Sequence, residues 1–68
     1  MYENLHLILR ERKITINKLS LESGIAPPDL YSALSGKKPL YPGWRKRIAE
    51  FLKLSEDEIF IEENEDHE

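Results

Sequence analysis

The chain predicts an all-α fold of five short helices, and three observations carry that prediction. Apolar residues recur at the spacing of a helix surface, as in Leu5, Ile8 and Leu9, a stripe that Arg12 continues. No stretch alternates apolar and polar residues as a half-buried strand would. Starting residues (Thr15, Pro27, Pro42, Ser55) and stopping residues (Gly24, Gly36) punctuate the chain at short intervals.

Taken in order, residues 3–12 form the first amphipathic helix and Ile14 begins a short link. Thr15 is placed to N-cap a second helix over 16–23, with Ile16, Leu19 and Ser20 inward and Gly24 in the left-handed position that follows. A third helix is predicted from Pro27 to Ser35. Proline in a first turn loses no intrahelical hydrogen bond, because the first N–H groups have no partner there. Leu30, Ala33 and Leu34 are its inner face, and Gly36 ends it. Lys37 to Tyr41 is a loop stiffened by Pro39. A fourth helix follows over 42–53, with Trp44, Ile48, Phe51 and Leu52 on one side. Ser55-Glu56-Asp57-Glu58 spells a capping box, and Leu54 and Ile59 fit a hydrophobic staple around it, opening a fifth helix through Phe60. The division expected is one domain over 1–61 and an acidic, flexible tail over 62–68.

A domain of 68 residues has a thin stability margin and needs close helix packing. With no cysteine there is neither a disulfide staple nor a thiolate metal site. No apolar run approaches the roughly 20 residues that span a bilayer, and no charged-then-apolar leader opens the chain. A soluble, cytoplasmic protein is expected, with no membrane partner. The net charge of -3 conceals a split. Residues 1–54 carry all ten Lys and Arg against five carboxylates, a net of +5, whereas residues 55–68 carry eight carboxylates and neither Lys nor Arg. A basic body attracts a polyanion, and an acidic terminus opposes that attraction. The terminal segment is thus either a competitor for the basic face or a solubilising appendage.

Thr15 to Lys38 reads as two short helices joined through Ser23-Gly24-Ile25, the helix-turn-helix unit that lays a helix in the DNA major groove. With the flanking helices, the chain resembles the phage repressor and Cro family, also called the XRE family, a compact lambda-repressor-like fold with the motif at helices 2 and 3. The likeness runs over about residues 3–61. It is carried by Thr15, Leu19, Ser20, Gly24, Ile25, Leu30, Gly36, Ile48, Ala49, Leu52, Leu54, Ser55 and Glu58-Ile59-Phe60. The resemblance implies that Ser20 lets helices 2 and 3 approach closely and that Gly24 makes the turn between them. It also implies operator binding by a dimer with the third helix in the major groove.

Carried over by position, the base-reading sites fall on Pro27, Pro28, Tyr31 and Ser32. Lys37 and Lys38 stand where the family commonly meets phosphate. Asn17 and Lys18, at the start of the second helix, are further phosphate contacts supported by backbone N–H groups. Two positions depart from the family pattern. Ile16 replaces a phosphate-anchoring glutamine, and Pro27-Pro28-Asp29 stands where a glutamine or arginine often reads a base. Proline offers only apolar contact, for instance to a thymine methyl. Asp29 either accepts from a cytosine amino group or offsets the helix macrodipole.

Other charged and aromatic residues have two readings each. Arg45, Lys46 and Arg47 point about 100° apart along a helix, so they do not form one patch. Arg10, Arg12 and Lys13 suit the C-terminal dipole of the first helix as well as they suit DNA. Trp44 belongs to the core or touches phosphate; Phe60 and Ile61 close the core or form a dimer surface.

Nothing in the sequence points to catalysis. His6 and His67 are isolated, and there is no glycine-rich phosphate loop, nucleophile motif or strand framework. No enzyme, metal or cofactor is expected. The expected function is a sequence-specific transcriptional regulator of repressor type, of phage or mobile-element kind, acting on double-stranded DNA as a homodimer. The alternative is a helix-turn-helix fold used to bind another protein, with base reading lost.

Overall fold

A computed structural model describes residues 2–61 and holds five helices in the expected order. They are α1 (Glu3–Glu11), α2 (Ile16–Ser23), α3 (Pro27–Leu34), α4 (Pro42–Leu52) and α5 (Glu56–Ile59). Among the described residues there is no strand, so the fold is all-α. None of these helices is long and apolar enough to cross a membrane. The acidic tail expected over 62–68 lies outside the described residues. Helices α1, α3, α4 and α5 each stop one residue short of the predicted end, at Glu11, Leu34, Leu52 and Ile59.

The way the helices end accounts for most of that difference. Helices α1 to α4 all close on a left-handed residue: Lys13 (φ 59°), Gly24 (φ 73°), Gly36 (φ 91°) and Lys53 (φ 59°). In each case the next N–H reaches back across the turn. Ile14 donates to Leu9 O at 2.8 Å, Ile25 to Ser20 O at 3.2 Å, Lys37 to Ser32 O at 2.9 Å and Leu54 to Ala49 O at 3.2 Å. These bonds satisfy carbonyls that the helix itself leaves open. The two glycines announce this geometry in the sequence; Lys13 and Lys53 do not.

Helix starts follow the sequence closely. Thr15 Oγ1 accepts from Lys18 N at 3.0 Å. The capping box at α5 is complete: Ser55 Oγ accepts from Glu58 N at 3.1 Å, and Ser55 N donates to Glu58 Oε1 at 2.8 Å. Helix α3 begins with Pro27 and Pro28 and has no side-chain cap.

The core draws on every helix: Leu5 and Leu9, Leu19, Leu30, Ala33 and Leu34, Ile48, Ala49 and Leu52, and Ile59. Ile25, Leu40 and Phe60 join it from the connections. Leu40 is buried although its loop gave no periodic signal. Helix α2 packs on both α3 and α4, while α5 bridges α4 and α1. Trp44 is half-buried against this core, edge-on to Tyr41 with ring centroids 4.7 Å apart. Phe60 is a core residue, with the Tyr2 ring edge-on at 6.0 Å and the Arg45 guanidinium 4.8 Å from its centroid. It is therefore removed from any dimer surface, while Ile61 stays exposed.

Polar side chains tie the helix ends together. Arg12 Nη1 donates to Leu52 O at 2.7 Å, so this cation closes the end of α4 rather than that of its own helix. Asn4 Nδ2 donates to Glu58 O at 2.8 Å and Ile59 O at 3.0 Å, holding α5 against α1.

Candidate nucleic-acid interface

The turn between α2 and α3 is built around Ser20. Its carbonyl accepts from Gly24 N at 3.0 Å and from Ile25 N at 3.2 Å, while its hydroxyl donates to Ile25 O. Ser20 is buried, so all three bonds are shielded from water. One turn further on, Ser23 Oγ donates to Leu19 O at 2.6 Å, which satisfies a second buried hydroxyl. The expected role of Ser20 was smallness; here its hydroxyl also fastens the turn. Gly24 supplies the positive φ, and Arg47 Nη1 approaches Gly24 O at 3.5 Å.

This turn fixes what α3 presents. Ala26, Pro27 and Pro28 are exposed, Asp29 is half-exposed, and Tyr31 lies on the surface while Leu30 points into the core. Asn17 of α2 shares an open groove of about 570 Å³ with Leu21, Gly24, Ile25, Ala26 and Pro27. Two of the predicted contacts, Asn17 and Pro27, are thereby brought together. Leu21, which carried no assignment in the sequence, is 77% exposed on the wall of that groove. Tyr31 borders a different depression, with His6, Ile16, Leu34 and Ser35. Ser32 is half-buried, and its carbonyl receives Lys37 N, Lys38 N and the Ser35 hydroxyl at 2.9, 3.3 and 3.1 Å. Its backbone thus anchors the loop that carries both lysines.

The lysines differ in their surroundings. Lys38 Nζ lies 2.7 Å from Asp29 Oδ1, joining the loop to the first turn of α3. The hydrogen bond and charge of Asp29 raise the Lys38 pKa above its ordinary value of 10.5, so the amine is a cation throughout the physiological range. Lys18 pairs with Glu22 at 3.0 Å, one helical turn along α2. That i, i+4 spacing was legible in the sequence. Lys37 is exposed and in no ion pair among the described residues. Asp29 thus has a partner that neither reading of the sequence gave it.

The basic triplet on α4 divides as its 100° spacing requires. Arg45 turns inward to Phe60, Arg47 approaches the Gly24 turn, and Lys46 remains exposed. What the surface offers a ligand is the exposed Pro27-Pro28 pair at the start of α3, the Asp29 carboxylate beside it, the Tyr31 ring, and lysines of which two are already matched to carboxylates. No family model, curated protein or solved structure matches this chain.

Proposed function

We propose that the chain is a DNA-binding transcriptional regulator of the phage repressor and Cro kind, acting as a repressor and reading sequence through α3. The observation that carries this reading is the Ser20-fastened glycine turn, which packs α2 on α3 and leaves the first turn of α3 exposed. An exposed helix held this way, on a body of net charge +5 over residues 1–54, has the shape and sign for a major groove. Lys37, Lys38, Lys18 and Asn17 would position the helix on phosphate. Pro28, Tyr31 and Ser32 would supply base discrimination, with the prolines limited to apolar contact such as a thymine methyl. A second copy of the chain on a near-palindromic site, with half-sites about one helical turn apart, completes the proposal.

The test is a mobility-shift assay on random duplex at low salt, followed by selection of bound sequences from a random pool. Retardation that weakens steeply with salt, and enrichment of a palindrome, are the expected results. A pool that emerges unenriched would refute sequence reading.

One observation favours a second reading. Leu21 stands exposed beside Ala26 and Pro27 on an apolar groove, which suits a protein-interaction module that has kept the fold and lost base reading. Total absence of a shift on any duplex at low salt would favour it.

A further inference from the structure

The start of α3 is unusual in what it lacks. A helix N-terminus ordinarily offers an anion its free N–H groups, but Pro27 and Pro28 carry none. With two of those groups missing, more of the attraction for an anion at this end of the helix falls to a side chain, and the side chain that reaches it is Lys38. Its amine is held by Asp29 at 2.7 Å, with 45% of the lysine side chain and 39% of the aspartate exposed. The pair therefore lies open to an external anion. The Lys38 backbone is fixed, because its N–H and that of Lys37 both donate to Ser32 O beyond the Gly36 turn. Exchange of partners needs only side-chain rotation.

We infer that Asp29 is a specificity-determining residue that withholds Lys38 from DNA phosphate and releases it where a base amino group takes the carboxylate instead. The inference rests on the DNA-binding reading above and adds to it a penalty against the wrong sequence. On an arbitrary duplex, Lys38 gains a phosphate but strands Asp29 beside a polyanion, so the exchange returns little. At a site that presents a cytosine N4 amino group in the major groove, the freed carboxylate accepts a hydrogen bond and the exchange becomes favourable. A repulsive element that is relieved only by the correct partner is an economical route to discrimination. Lys18 and Glu22 are an ordinary same-helix pair and provide the comparison.

The experiment measures affinity for a random duplex across a salt series for the wild type, Asp29→Asn, Lys38→Met, the double variant and Glu22→Gln, with circular dichroism confirming that each is folded. Asn keeps the size and polarity of the side chain. Asp29→Asn should bind random duplex several-fold more tightly. Its log affinity against log salt should steepen by about 0.9, the signature of one added phosphate contact. The gain should vanish in the Lys38→Met background; Glu22→Gln, which frees Lys18 from its own carboxylate, shows how much releasing a lysine away from the start of α3 adds. Unchanged affinity and slope in Asp29→Asn, with the wild type binding measurably, would overturn this inference and leave the DNA reading standing. A gain that survives Lys38→Met would also overturn it, since simple charge repulsion would then be the cause. If neither wild type nor Asp29→Asn binds at low salt, the DNA reading falls and this inference falls with it.

Discussion

Arg12 and Leu52 stand forty residues apart in sequence and meet end to end in the fold: the guanidinium at the end of α1 donates to the carbonyl at the end of α4, at 2.7 Å. The bond closes an open helix terminus and ties the end of α1 to the end of α4. Because Arg12 is exposed, much of the ionic component is screened, and the bond is worth about 1 kcal/mol. Arg12→Met, which keeps the apolar stem, should lower the urea midpoint accordingly at unchanged m-value.

Ser20→Ala removes the hydroxyl that fastens the α2–α3 turn and leaves the Ile25 carbonyl without its side-chain donor. A loss of about 1–2 kcal/mol is expected. Urea unfolding measures the loss; a change below 0.3 kcal/mol would show that the backbone bonds alone hold the turn.

The four left-handed helix ends make opposite predictions for glycine and lysine. A Cβ at Gly24 would meet nothing closer than Arg47 Nη1 at 3.9 Å, so Gly24→Ala should cost only the conformational term, about 1 kcal/mol. At Lys53 the same term is already present, and Lys53→Gly should stabilise by about 0.5–1 kcal/mol. Thermal melts of the two variants should move in opposite directions.

Phe60→Ala should cost about 3–5 kcal/mol, as for other buried aromatic truncations. For a domain this small that is most of the stability, so the variant should be largely unfolded at 37 °C by circular dichroism. Phe60→Leu refills part of the space and should remain folded with a lowered midpoint.

Leu21→Ser should change stability by less than about 0.5 kcal/mol, because the side chain is already in water. The variant therefore probes function cleanly. Under the DNA reading it still retards random duplex; a protein partner seated in the groove would be lost.

Helix starts were legible because caps are local: Thr15, Ser55 and Glu58 act within three residues of themselves. The core faces followed from periodicity, with Leu40 the exception, since a loop has no period to read. Lys13 and Lys53 hid two helix ends because a left-handed lysine has no sequence signature. In the candidate interface, exposure of Pro27, Pro28 and Lys37 followed from position along α3 and its loop. The Asp29–Lys38 pair did not, because its nine-residue separation crosses the Gly36 turn and only the folded loop brings the charges together.

Asn4 joins the two ends of the described fold. It sits in the first helix, and its two hydrogen bonds go to carbonyls 54 and 55 residues later. Helix α5 has only four residues and is too short to persist by itself. The body is therefore sealed, among the described residues, by α5 meeting α1. A chain emerging from the ribosome lacks Ile59 and Phe60, and so an intact core, until nearly all of the domain has left the exit tunnel. Nascent chains arrested after Leu54 should accordingly remain protease-sensitive, and those extended well past Phe60 should resist digestion.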